Sequence, residues 1–237
     1  MADERIIAAL DVRTLDEVKA LVGQLGDSII FYKVGMELFY AVGPQVITYL
    51  KSKNKRIFLD LKLHDIPNTV AEGLISLMKF GVDIFNVHAS GGFTMLSQAA
   101  QRIKEAAHAA GVRPPKLIAI TVLTSMNEID WRSLGMTMPI AEQVVNLAKL
   151  SQRAGLDGVV ASPREAAMIR KACGRDFMIV TPGVRPRGTA NNDQSRVAAP
   201  AEALRNGASQ LVIGRPIYAA PNPKAAVDSI LAEIAAV

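Results

Sequence analysis

Short apolar runs rich in β-branched residues recur along the chain, and each is followed by a stretch whose apolar positions repeat at helical spacing. The runs occupy 6–11, 29–34, 57–62, 84–88, 117–123, 158–161, 178–181 and 211–214. This alternation predicts βα units around a parallel sheet, and runs about thirty residues apart predict a (β/α)8 TIM barrel. Local signals agree: Thr14-x-x-Glu17 reads as a capping box, and Pro44 and Pro139 suit the first turns of helices. No Pro/Ser-rich linker or low-complexity tract interrupts the pattern, so 1–237 is expected to be a single domain. The polar stretch 185–196 follows the seventh run and has little to bury, which predicts a mobile loop.

Composition narrows the class. Half the residues are hydrophobic and 21% are charged, enough apolar surface for a large core, so disorder is excluded. The net charge is +5, but Lys and Arg are scattered without interleaved aromatics, so no nucleic-acid partner is expected and anionic small molecules fit better. The densest basic run, 51–56, is expected to be a solvated helix end. The single Cys173 rules out an intrachain disulfide and any multi-cysteine metal site. With no leader pattern ahead of Arg5 and no apolar stretch long enough for a bilayer, a cytoplasmic protein without a membrane partner is expected.

Working residues of such barrels sit at the carboxyl ends of the strands. Asp11 closes the first run, Lys33 lies near the end of the second, and Asp60 and Lys62 close the third. Strand alternation places Asp60 and Lys62 on the inward face and Leu59, Leu61 and Leu63 on the outward one. Such charges need partners if buried. An ion-pair network that merely fills the barrel is one reading; charges where apolar side chains would pack better point instead to function. Asp65 either joins that group or caps the helix opening at Ile66-Pro67-Asn68-Thr69. Across the mouth, Arg185, Gln194 and Gly214-Arg215 follow the seventh and eighth runs, where barrels often bind phosphate. The plainer alternative makes Gly214 a tight strand end and Arg215 a surface cation. His64, His88 and His108 lack metal-ligand spacing, so no metal site is expected. His88 is expected to be a hydrogen-bonded structural residue, and His64 falls off the inward phase.

The run Asp60-Leu61-Lys62-Leu63-His64-Asp65-Ile66-Pro67-Asn68-Thr69 closely resembles the signature of bacterial orotidine 5′-phosphate decarboxylases. Ala9-Leu10-Asp11, Tyr32-Lys33-Val34-Gly35, Thr121-Val122-Leu123-Thr124-Ser125, Thr181-Pro182-Gly183-Val184-Arg185 and Ile213-Gly214-Arg215-Pro216-Ile217 resemble further family blocks in family order, so the resemblance spans essentially the whole chain. It implies conversion of orotidine 5′-monophosphate to UMP and CO2 in de novo pyrimidine biosynthesis, without metal or cofactor. Lys62 would be the proton donor, and Asp60 would face the departing carboxylate. Lys33 and an Asp65 from the second subunit of a homodimer would complete an alternating charge array. Asp11 would bind the ribose, with Thr69 beside it across the dimer interface. Thr124 and Ser125 would meet the pyrimidine edge, and Gln194 would bridge base and phosphate. Arg185, Gly214 and Arg215 would hold the phosphate, while Asn68 and Pro182 complete the implied substrate-binding set. A Mg-dependent sugar-phosphate decarboxylase or aldolase on the same barrel is the nearest rival, although Lys33 would repel Mg²⁺. A non-catalytic nucleotide-phosphate binder is another, against which the intact Asp60, Lys62 and Asp65 argue.

Overall fold

Each of the eight β-branched runs forms a strand in the computed structural model, which describes residues 2–186 and 198–237. The strands are β1 (Ile6–Ala9), β2 (Phe31–Gly35), β3 (Arg56–Leu63), β4 (Ile84–His88), β5 (Lys116–Ile120), β6 (Gly158–Val160), β7 (Met178–Thr181) and β8 (Gln210–Ile213). They pair in parallel in chain order, and β1 meets β8 through Ile6↔Leu211, Ile7↔Val212 and Ala8↔Ile213 to close the barrel. Closure leaves no strand edge unpaired.

Parallel strands covered on both faces have two apolar sides, and the core accordingly divides in two. Ile7, Phe31, Phe58, Ile84, Ile118 and Val180 fill the barrel interior. Residues one position out of phase, such as Ile6, Tyr32, Leu59, Phe85 and Ile179, pack outward with the helices.

Those helices are α1 (Leu15–Leu25), α2 (Met36–Val42), α3 (Gln45–Ser52), α4 (Pro67–Met78), α5 (Gly92–Ala109), α6 (Glu128–Ser133), α7 (Ile140–Arg153), α8 (Ala166–Cys173), α9 (Pro200–Arg205), α10 (Arg215–Tyr218) and α11 (Pro223–Ile234). The stripe Ile140, Val144, Leu147, Ala148 and Ser151 shows why α7 docks: its buried positions recur every three to four residues. Each fully buried large aliphatic side chain contributes about 1.5–3 kcal/mol. Thr14 and Glu17 form the reciprocal capping box ahead of α1. Pro44 and Pro139 are the N-cap residues of α3 and α7, one position before the expected first turn. None of the described helices is long and apolar enough to cross a membrane.

Strand ends differ from expectation where the site begins. β1 stops at Ala9, but the Leu10 N–H donates to the Lys33 carbonyl at 3.0 Å, so the ladder continues up to Asp11. β5 stops at Ile120, and Thr121 leaves it with both its N–H and its hydroxyl donating to the Val160 carbonyl, at 3.1 and 2.9 Å. Most of the expected mobile loop, together with Gln194, lies outside the described residues.

The basic run 51–56 is not simply a solvated helix end. Lys55 is buried, and its amine donates to the carbonyls of Gly26 at 2.7 Å and Ile29 at 3.0 Å. Arg56 starts β3, lies 4.5 Å over the Phe31 ring and pairs with Glu4 and Asp83. The Lys55 amine thus ties the start of β3 to the turn before β2 through two backbone carbonyls. Replacing it by an uncharged chain of similar length, Lys55→Met, should lower stability in urea titrations by about 2–3 kcal/mol through the loss of two hydrogen bonds from a charged donor. A loss under about 0.5 kcal/mol would return Lys55 to the solvated surface class.

Candidate active site

Asp60 and Lys62 meet at the mouth of the barrel, with the Lys62 amine 2.8 Å from one Asp60 carboxylate oxygen. Simple strand alternation is not what brings them there. Leu59 pairs with Phe85 and Leu63 with Val87, so Asp60, Leu61 and Lys62 together oppose the single residue Asn86. β3 is bulged at its catalytic end, and Lys62 has a left-handed backbone with φ 56°. A left-handed non-glycine residue is strained and needs support from its surroundings. Asn86, which is fully buried, supplies it: its Oδ1 accepts the Lys62 N–H at 2.8 Å, and its Nδ2 donates to Asp60 Oδ1 at 2.6 Å. Sequence reasoning missed Asn86; the available signal was one amide in β4 at the same inward phase as Ile84.

Lys33 joins from β2. Its amine lies 3.1 Å from Asp11 Oδ1 and 3.4 Å from Asp60 Oδ2, giving the order Asp11, Lys33, Asp60, Lys62. Burial disfavours the Asp60 charge, but Lys33 and Lys62, with hydrogen bonds from Lys62 and Asn86, outweigh it and hold the carboxyl below its ordinary pKa. Burial also opposes the Lys33 charge, and there Asp60 and then Asp11 prevail, raising its pKa. Two glycines make room for these groups. A Cβ at Gly35 would lie 3.0 Å from the Lys33 amine, and one at Gly214 would lie 3.1 Å from Asp11 Oδ2.

Phe58, Ile120, Val122, Val160 and Val212 wall the cavity beside Lys33, Asp60 and Lys62, and Thr124 and Pro182 also line it. Ser125 is exposed and is not among the lining residues, which separates it from Thr124. Arg185 is buried: its Nη1 donates to the Val184 carbonyl at 3.0 Å, while its Nε has no hydrogen-bond partner among the described residues. Burial, and then the charge of nearby Arg215, push the Arg185 pKa down. Two guanidiniums this close, one with an unsatisfied donor, suit an anion with several acceptor oxygens. Tyr218, also unnoticed in the sequence, lies near both arginines and Asp11; burial and then Asp11 raise its pKa.

Other expected residues lie on the flank. Asp65, Asn68 and Thr69 are exposed, and Asp65 accepts the Ile66 N–H at 2.6 Å. The N-cap of α4 is Ile66 without a side-chain cap, so Asp65 does not cap the first turn of that helix. Asp65 and Thr69 line a groove that Lys62 also borders. His88 is not held by the expected structural hydrogen bond; it stacks on His64, with ring centroids 5.5 Å apart. Burial, then the charges of His64 and Lys62, lower its pKa.

Residues 4–230 match the model of the orotidine 5'-phosphate decarboxylase / HUMPS family. The chain belongs to this family. It is 52% identical over 234 residues to the orotidine 5'-phosphate decarboxylase of Moorella thermoacetica, covering 98% of this chain and 93% of that protein. The corresponding protein of Geotalea daltonii is 46% identical, with 99% and 98% covered. Among solved structures, the orotidine 5'-phosphate decarboxylase of Lactobacillus acidophilus superposes with a TM-score of 0.86 at 42% identity, covering 98% of this chain and 99% of that one. Membership holds along the whole barrel, as the sequence blocks implied.

The buried pairing has a pH signature. Because the folded pKa of Asp60 lies below its ordinary 3.8, its stabilising contribution is complete above that value and disappears as pH falls through the depressed one. Urea titrations from about pH 5 down to about pH 2 should therefore show a shallower acid-side loss for Asp60→Asn than for the parent chain. Equal slopes would mean that Asp60 is not held in its ionised form by these partners.

Proposed function

We propose that this chain converts orotidine 5′-monophosphate to UMP and CO2, with Lys62 as the proton donor and no metal or cofactor. The observation carrying the proposal is the Asp60–Lys62 contact of 2.8 Å beside an apolar cavity, with the mutually close Arg185 and Arg215 following β7 and β8. The substrate demands such an arrangement. When the bond between the pyrimidine ring and its carboxylate breaks, CO2 leaves and the electron pair stays in an in-plane carbon orbital that the ring π-system cannot absorb. A cation fixed beside that carbon stabilises the pair, and the Lys62 amine then gives it a proton to form the C–H bond of the product.

The apolar walls strengthen this effect, because charge interactions grow as the local dielectric falls. Asp60 holds the Lys62 amine and faces the leaving carboxylate, while Lys33 links Asp60 to Asp11 at the ribose. Thr124 and Pro182 flank the pyrimidine, Ser125 follows Thr124 outside the cavity lining, and Gln194, implied to bridge base and phosphate, lies outside the described residues. Arg185 and Arg215 hold the 5′-phosphate with the Gly214 backbone. Binding energy from that remote group is available to stabilise the transition state. The Mg-dependent rival fits less well, since the Lys33 amine occupies the space between Asp11 and Asp60 where a divalent ion would take carboxylate oxygens.

The active unit in this reading is a homodimer in the cytoplasm. The groove carrying Asp65 and Thr69 opens onto Lys62, and Tyr40 and Ile66 beside it are 71% and 67% exposed. A two-fold contact across this face brings each copy's Asp65, Asn68 and Thr69 to the other copy's Lys62 and substrate.

One assay tests chemistry and sharing together. In chelator-treated samples, the parent chain should decarboxylate orotidine 5′-monophosphate, whereas Lys62→Ala and Asp65→Ala should each be nearly inactive. Mixing the two variants should restore about one quarter of parental activity per chain, because random hybrid dimers contain one intact site. An inactive parent chain would refute the decarboxylase reading, and inactive mixtures that form hybrid dimers would refute the shared site.

A further inference from the structure

The bulge in β3 singles out Asn86 as a residue with two simultaneous tasks. Three residues of β3 face it, so the regular ladder supplies no backbone acceptor for the Lys62 N–H, and the Asn86 side chain provides one at 2.8 Å. The same amide donates to Asp60 Oδ1 at 2.6 Å, the oxygen that also receives the Lys62 amine at 2.8 Å. The other Asp60 oxygen faces Lys33 at 3.4 Å. Asn86 is completely buried and belongs to β4, and its position is set by the pairing of β4 with β5, Asn86↔Ile118.

We infer that Asn86 is a positioning residue for the decarboxylation: it locks the left-handed turn at Lys62 and orients the Asp60 carboxylate, so that the ammonium is presented to the reacting carbon. This inference rests on the decarboxylase reading above and deepens it. At neutral pH a primary amide of this length offers an acceptor to one group and a donor to the other from two separate atoms. A carboxylate in its place keeps the acceptor but loses the donor and sets a second negative charge against Asp60. Protonating that carboxylate restores a donor.

The variants Asn86→Asp and Asn86→Ser, compared with the parent chain across pH, separate this role from simple packing. Parental turnover of orotidine 5′-monophosphate is measured first, since its absence would sink the decarboxylase reading and not the geometry of Asn86. With an active parent, Asn86→Asp should lower kcat on the order of 100-fold at neutral pH, with KM changed less than about threefold. Its kcat relative to the parent should recover toward acid pH as the introduced carboxyl gains a proton. Asn86→Ser, which cannot serve both partners, should lose on the order of 10-fold in kcat with no recovery in acid. Parental kcat and pH profile in a folded variant would overturn the inference, as would losses confined to KM or to thermal stability. If Asn86→Asp does not fold, the Asn86→Ser ratio of kcat to KM effects decides by the same criteria.

Discussion

A carboxylate buried at the mouth of an apolar barrel must be surrounded by donors, and much of this site follows from how Asp60 acquires them. Lys62 and Asn86 approach one oxygen at 2.8 and 2.6 Å, and Lys33 approaches the other at 3.4 Å. Removing any one leaves charge that the interior cannot solvate. The demand reaches into the backbone: β3 departs from regular pairing, Lys62 adopts φ 56°, and a fully buried amide stands where an aliphatic side chain would pack better. Positions 35 and 214 stay glycine, where a Cβ would crowd Lys33 and Asp11.

The barrel bears these costs because its other layers are predominantly apolar. Below the charges, Phe31, Phe58, Ile84 and Ile118 fill the interior, and outside it the helices cover a second apolar layer. Stability therefore comes from the closed sheet and its helical coat, leaving the carboxyl ends of the strands free to carry strained and charged groups. The same division places the two mutually close arginines just beyond the ends of β7 and β8.

Much of this was legible in the sequence, for identifiable reasons. A strand buried on both faces reads as an apolar run, and all eight were found, with 84–88 and 178–181 matching at both ends. Helical dipeptide signals were good to about one residue, as Pro44 and Pro139 show. Asp11, Lys33, Asp60 and Lys62 were visible as charges at strand ends, and the structure brings them together. The reason offered for Asp60 and Lys62 was incomplete, because period-two alternation contains no bulge. Asn86 and Lys55 escaped notice because their roles depend on partners distant in sequence: Asp60 and Lys62 lie in β3, Gly26 and Ile29 before β2. Spacing left Asp65 open between the charge group and a helix cap, and Thr69 was read from family resemblance alone; within one chain both line a groove beside Lys62.

The account stands or falls on whether Asp60 and Lys62 act as one unit. A double-mutant cycle in kcat, comparing Asp60→Asn, Lys62→Met and the combined variant, measures this directly. Strong coupling is the predicted result: each single change removes most of the activity, and the combined variant lies within about tenfold of the worse single. A combined loss equal to the product of the two single losses would show independent action and contradict the account.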